Sequence, residues 1–219
     1  QQSVIAAVYA AEQMAGEQIR EVYVNVSGGV LENGTMVLET PVGGTIVGDA
    51  EMRKLYTGNW HREVAGNCAL VHTIPVGFKI DGSNGIRDPR GLSGRKLGVQ
   101  IRTVSVQANA IQNLTVCIGR CHLNTSGHVV SAYASGLACL VEDETDLGVA
   151  MIDMGGGTTS VAVFFDGALA YAGCVPVGGQ HVTSDIARGL STPLSHAERL
   201  KTLHGGALPS PTDEREIID

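Results

Sequence analysis

VAMIDMGGGTTSVAVFFDGALAYAGCVPV, Val149–Val177, is the stretch whose reading decides the fold. Val149–Asp153 is a short apolar run ending in a carboxylate, Gly155, Gly156 and Gly157 offer φ > 0 freedom, and Ser160–Phe165 resumes as a second run. That pattern is a hairpin with a glycine tip. Asp166-Gly167 is the strongest two-residue hairpin signal in the chain, so a third strand, Ala168–Val177, is expected to return beside the second. The expectation is a three-stranded meander.

Chemistry belongs at the first turn. Glycines without side chains expose N–H groups that can point at phosphate oxygens, and Thr158 and Thr159 add hydroxyl donors. Asp153 at the strand end would face the same anion, an arrangement that makes sense with a Mg²⁺ and its waters between the two negative groups. A plain hairpin with a permissive turn explains the same residues, and the turn alone does not separate the two readings.

Composition bounds the class. The 219 residues are 43% hydrophobic, enough to form the core of one large domain or two small ones, and 29 glycines with only 4% aromatic residues point to an α/β protein with many turns. A net charge of −7 without a Lys/Arg cluster argues against a nucleic-acid surface. Five scattered cysteines, Cys68, Cys117, Cys121, Cys139 and Cys174, form no disulfide framework, and their odd number suits a reducing cytoplasm. Cys117-x-x-x-Cys121-His122 lacks a second ligand pair at zinc-like spacing and reads as thiols packed on a helix. No apolar run approaches the ~20 residues of a membrane span, and no signal peptide is visible. The chain starts at Gln1 within an amphipathic helical pattern and stops in an apparent strand at Ile217-Ile218, as expected of a fragment.

Around the hairpin, Val4, Ile5, Val8, Ala11 and Ala15 recur at helical spacing, and Glu21–Val26 alternates as a strand closed by Ser27-Gly28-Gly29. Val30–His128 reads as a small α+β unit. It holds a short helix over Asp49–Thr57, strands Ala69–Pro75 and Phe78–Asp81 broken by Pro75, a strand Lys96–Ser105 and a helix Val106–Leu123. Arg87, Arg90 and Arg95 sit in a turn-rich loop where pairing with Asp81 and Asp88 explains them better than an anion site. His72 on an apolar strand reads as a satisfied core residue. Small residues in Val129–Leu140 suggest a strand and then a helix lying close against a neighbour, and Glu142–Leu147 is a solvated acidic helix end or linker. Beyond the meander, Gly178-Gly179 leads into a helix over His181–Leu190, whose N-terminus can face phosphate. Another helix follows, Leu194–His204. On it Glu198 and Lys201 share a face, where they can pair with each other or grip ribose hydroxyls.

Asp-x-Gly-Gly-Gly-Thr between two strands resembles the second phosphate loop of the actin-like ATPase superfamily. Six stretches in order narrow the resemblance: VNVSGG (Val24–Gly29), HTIPVGFKIDG with GIRDPRGLSG (His72–Gly94), AYASGLA (Ala132–Ala138), IDMGGGTTSVAVF (Ile152–Phe164), PVGGQHVTSDIARGLSTP (Pro176–Pro193) and AERLKTLHGGAL (Ala197–Leu208). Together they resemble the bacterial cell-division family FtsA, in its alphaproteobacterial form, and cover most of the chain. The resemblance implies a partial actin-like, ribonuclease-H-like α/β fold with an inserted α+β subdomain of the 1C (SHS2) type. Gln1–Gly29 would end subdomain 1A, Val30–His128 form 1C, Val129–Leu147 return to 1A, Gly148–Leu190 begin 2A and Ser191–Asp219 begin 2B. It also implies ATP and Mg²⁺ as cofactors. Asp153 would act catalytically and hold Mg²⁺ through water, with Gly155, Gly156, Gly157, Thr158 and Thr159 on the phosphates. Gly178 and Gly179 would approach phosphate, and Glu198 and Lys201 would meet ribose and adenine.

The implied role is that of an adaptor. Such proteins bind ATP, self-associate into filaments, tether the FtsZ ring on the cytoplasmic face of the inner membrane at the division site through a C-terminal helix, and recruit later divisome proteins through 1C. At most a weak ATPase activity follows, with ATP acting as a conformational ligand. Ser160 stands where the family usually carries Asp. The family's first phosphate loop, its adenine loop and its C-terminal membrane helix find no match, so this polypeptide alone is expected to bind nucleotide weakly or not at all and to hydrolyse none measurably. A sugar or acid kinase would share the phosphate loop but needs a base beyond the Asp153 region. A pilus-assembly adaptor of the same superfamily is the other alternative.

Overall fold

The structure is a computed structural model that describes residues 1–56 and 66–208. Its elements run α1 (Gln2–Ala15), β1 (Glu21–Val26), β2 (Leu31–Pro41), α2 (Asp49–Tyr56), β3 (Cys68–Ile80), β4 (Ser83–Ile86), β5 (Lys96–Gln107), α3 (Ala108–Gly119), β6 (Asn124–Val130), α4 (Ser131–Cys139), α5 (Glu142–Leu147), β7 (Val149–Met154), β8 (Thr159–Phe165), β9 (Ala168–Val175), α6 (Gly179–Gly189) and α7 (Leu194–His204). The chain divides into two compact units. The larger comprises Gln1–Asp153 and Thr159–Pro176, and the smaller comprises Met154–Thr158 with the described residues from Val177 onward.

In the larger unit β1 pairs parallel with β6, an antiparallel sheet runs in the order β2-β5-β3-β4, and the meander runs β7-β8-β9. Parallel pairing needs a crossover, and everything between β1 and β6 in sequence, including the four-stranded sheet, is inserted into it. Among the described residues three apolar clusters hold the unit. Leu97, Val99 and Ile101 of β5 pack with Val42, Val47, Met52 and Leu55 on the α2 side of the insert. Val104, Val130, Ala132, Ala162, Phe164, Leu169 and Ala172 join the far end of β5 to β6, α4 and the meander. Val24, Ile118 and Leu123 fasten α3 near α1, whose Val4 and Val8 cover them. Small residues on α4 allow close approach: a Cβ on Gly136 would lie 2.5 Å from the Phe164 ring.

The meander forms as its sequence predicts, except that the third strand stops at Val175. Asp166 and Gly167 take φ 50° and 73°, the paired positive values a two-residue hairpin turn requires. Elsewhere the structure corrects the sequence. β3 is continuous through Pro75, because the missing N–H is absorbed at a register shift between Pro75 and Gly77. β2, to which the sequence reading assigns no element, is a strand that carries Asn33-Gly34, a turn signal in isolation, within the ladder opposite Val104 and Thr103. The helix expected over Val106–Leu123 is shorter: Val106 and Gln107 remain in β5, and the chain leaves α3 at Gly119 to start β6 at Asn124. The acidic run is helical, as α5, and the apparent strand at Ile217-Ile218 lies outside the described residues. Among the described residues no helix is long and apolar enough to cross a membrane.

Candidate functional site

The smaller unit contains the glycine turn and both helices that follow the meander. Gly155 N–H donates to Thr158 O at 2.8 Å, closing the turn on itself. None of Gly155, Gly156 and Gly157 has a positive φ, so the conformational freedom expected of them is not what the turn uses. Space is what it uses. Gly178, with extended backbone at φ −158°, carries hydrogen where a Cβ would lie 2.4 Å from Gly155 O and 2.7 Å from Gly156 C and O. That absence lets the turn lie against the start of α6, where Gly179 N–H donates to Gly155 O at 3.0 Å and Gln180 N–H to Gly156 O at 2.8 Å. Two of the free amides at the α6 N-terminus are thereby satisfied by turn carbonyls. Gly178 N–H donates in turn to His181 Nδ1 at 3.1 Å.

One turn into α6, Thr183 is only 5% exposed. Its Oγ1 lies 3.1 Å from Gly179 O and bonds across to Glu198 Oε2 on α7. Lys201 Nζ donates to Gly179 O at 3.2 Å, to Thr183 Oγ1 at 2.9 Å and to Glu198 Oε2 at 2.7 Å, one acceptor for each ammonium proton. The hydrogen bond from Lys201, reinforced by that from Thr183, holds the Glu198 carboxyl below the usual carboxylate range. These groups line a pocket of about 690 Å³ together with Gly156, Gly179, Gln180, Ser184, Leu194 and Ser195.

Of the residues singled out in the sequence, Gly156, Gly179, Glu198 and Lys201 therefore meet at one pocket. Gly155, Gly157 and Thr158 belong to the turn, and Gly178 is the contact that seats it. Asp153 and Thr159 belong to the larger unit; the Asp153 carboxylate accepts a hydrogen bond from Ser135 at 3.3 Å. Ser160 is buried in β8. Thr183 was not legible as a site residue, because a helix read from His181 hides that Gly179 and Thr183 are separated by one turn and share a face. With α6 starting at Gly179, the two share a face, and the packing of α7 then brings Thr183 to Glu198 and Lys201.

The other candidates resolve as structure. His72 Nε2 accepts from Val130 N–H at 2.9 Å with its ring against Tyr133, and burial lowers its pKa. Arg90 pairs with Asp49 at 3.1 Å and Asp88 at 3.7 Å, whereas Asp81 accepts from the backbone N–H groups of Arg95 and Lys96 instead of from an arginine side chain. Among the described residues no group of three or more His, Cys, Asp or Glu side chains could hold a metal ion.

Comparison with known proteins bears on the family and the fold. The family described as "Cell division protein FtsA" matches residues 150–219, and "SHS2 domain inserted in FTSA" matches residues 29–105. The FtsA of Rhizobium meliloti (strain 1021) is 47% identical over 97% of this chain and 48% of its own length. That of Agrobacterium fabrum is 44% identical over 96% and 48%, and that of Pseudomonas aeruginosa 32% identical over 99% and 52%. The chain thus spans about half the length of the curated relatives it matches. Among solved structures, the PilM-PilN type IV pilus biogenesis complex aligns over 93% of this chain and 56% of that chain with a TM-score of 0.59 and 16% sequence identity, a likeness of fold. The fold is that of the actin-like ATPases.

Proposed function

The chain belongs to the FtsA family of actin-like cell-division proteins, and from that premise we propose that it binds ATP, self-associates, and tethers FtsZ to the cytoplasmic face of the inner membrane at the division site. The observation that carries the nucleotide reading is the pocket of the smaller unit, where Glu198, Lys201 and Thr183 form one connected set beside Gly156 and Gly179. A carboxylate and an ammonium held on one helix face suit the vicinal hydroxyls of a ribose and the ring nitrogens of a purine, and glycines admit the close approach a nucleotide needs. In this reading Glu198 and Lys201 meet ribose and adenine, Gly156, Gly157 and Thr158 with Thr159 supply donors to the phosphates, Gly155 closes the turn through its bond to Thr158 O, and Gly178 and Gly179 keep that turn against α6. Asp153 holds the waters of a Mg²⁺ that, when bound, neutralises phosphate charge. Val30–His128 is the 1C insert that recruits later divisome proteins. Membrane attachment resides in a C-terminal helix of the family.

ATP acts here as a ligand that favours the assembling state, which requires only a difference in affinity between two conformations. A pilus-assembly role is favoured by no observation beyond a likeness of fold at 16% identity, whereas the division proteins reach 47%. A sugar or acid kinase needs a positioned base, for which the described residues offer no candidate beyond the Asp153 region. Mg²⁺–ATP calorimetry on this polypeptide and on a form extended at both ends to the family's length tests the proposal. The extended form is expected to bind, Asp153→Ala to weaken it, and the polypeptide as it stands to bind weakly or not at all. Saturable micromolar binding by the unextended polypeptide would overturn that last expectation, and no binding by either form would overturn the nucleotide reading.

A further inference from the structure

Glu198 and Lys201 lie three residues apart, and their side chains retain 52% and 26% of their exposure. An ion pair of that kind on a helix surface holds its geometry poorly, because two long side chains must be ordered for a small gain. Here a third group orders them. Thr183 is buried and belongs to a different helix, and its hydroxyl lies between the two charges. An ammonium can only donate and an ionised carboxylate can only accept, so the hydroxyl accepts from Lys201 and sends its own proton to Glu198 Oε2. The chain of bonds runs one way, from Nζ through Oγ1 to Oε2. A threonine buried on a helix is ordinarily satisfied by the carbonyl one turn back, and Gly179 O is present at 3.1 Å for that purpose. With its single proton directed to Glu198 instead, the hydroxyl makes both of its bonds to α7, which burial alone does not demand. Both bonds to the carboxylate fall on Oε2, which pins that oxygen and turns the carboxylate to a fixed angle at the pocket wall.

We propose that Thr183 is a positioning residue that sets ribose selectivity, by fixing the Glu198 carboxylate so that it can accept from the sugar hydroxyls of a nucleotide. The proposal rests on the reading of the pocket as a nucleotide site. Its signature is selectivity: a carboxylate at a fixed angle distinguishes a 2′-hydroxyl from a 2′-hydrogen, and one that rotates freely does so less.

The test compares ATP with 2′-deoxy-ATP by calorimetry in the full-length protein, for the wild type and for Thr183→Val, Thr183→Ser and Glu198→Ala. Thr183→Val keeps shape and removes the hydroxyl. It is expected to lower ATP affinity by up to about tenfold, the size of one net hydrogen bond, and to leave 2′-deoxy-ATP within about twofold, so that the ratio of the two collapses. Thr183→Ser restores the ratio. Equal losses for both nucleotides, or an unchanged ratio in Thr183→Val while Glu198→Ala abolishes it, would make Thr183 merely structural and overturn the proposal while leaving the pocket reading intact. An unchanged ratio in Glu198→Ala would overturn the pocket reading and the proposal together. Should Thr183→Val not fold, as judged by circular dichroism, Thr183→Ala against Thr183→Ser carries the same comparison.

Discussion

Gly178 and Gly157 are both glycines of the smaller unit, yet the structure predicts opposite tolerance. A Cβ on Gly178 would lie 2.4 Å from Gly155 O and 2.7 Å from two Gly156 backbone atoms, none of which can rotate away as a flexible side chain would. A Cβ on Gly157 meets nothing within 4 Å, and its φ is not positive. Gly178→Ala is therefore expected to push the turn off α6, break the bonds from Gly179 N–H and Gln180 N–H to the turn carbonyls, and cost about 1–3 kcal/mol. Gly157→Ala is expected to stay within about 0.5 kcal/mol of the wild type. Urea titration gives the energies, and amide exchange at Gly179 and Gln180 locates them; equal destabilisation by the two variants would show that steric approach is not what selects glycine. The glycine run itself was plain in the sequence. Which glycine is indispensable was not, because the answer depends on a backbone approach between residues more than twenty positions apart in the chain, Gly155 and Gly178, that no local pattern encodes.

At the scale of elements, Asn33 shows how the inserted sheet is fixed to the meander within the larger unit. The Asn33 side chain on β2 donates through Nδ2 to Ala172 O at 2.8 Å and accepts at Oδ1 from Ala172 N–H at 2.9 Å. One amide thus satisfies both backbone groups of a fully buried residue on β9, at the end of the order β7-β8-β9. Asn33→Ala leaves a buried donor and a buried acceptor unpaired, an expected loss of about 2–5 kcal/mol. Asn33→Asp keeps an acceptor for the N–H but places a carboxylate oxygen against a carbonyl oxygen, so it is expected to destabilise the protein near neutral pH and less so once protonated in acid. Denaturation of both variants at pH 7 and pH 4 checks the order; an Asn33→Ala loss below 0.5 kcal/mol would sink the idea. Local chemistry hid this element. Asn33-Gly34 carries a turn signal, and only pairing with β5 overrides it. Pro75, read from the sequence as a break, is accommodated by a register shift without ending β3. Strongly periodic elements without such residues, β1, β5, the meander, α6 and α7, were legible because propensity and burial pattern agree in them.

For the whole molecule, family and fold were legible because six sequence stretches occur in order over most of the chain, whereas composition alone reached no further than an α/β protein rich in turns. The site was legible in part. Glu198 and Lys201 could be picked out by their spacing, but Thr183, which connects them, lies on another helix and emerges only when α6 and α7 are packed. The same distinction between local and assembled information bears on the proposed role of ATP. If nucleotide works by preferring one of two conformations, binding suffices and bond cleavage is dispensable. A shift from one part in a hundred to ninety-nine parts needs a preference of about 10⁴-fold, and in the proposed role the γ-phosphate, which ADP lacks, contributes it. Sedimentation of the extended protein, alone and with FtsZ, is therefore expected to rise with Mg²⁺–ATP and equally with a non-hydrolysable ATP analogue, to remain low with ADP, and to be lost in Asp153→Ala. Pelleting with ATP but not with the analogue would mean that turnover drives assembly and would remove the argument for a purely conformational ligand. Pelleting that ignores nucleotide altogether would leave the adaptor role resting on protein contacts alone.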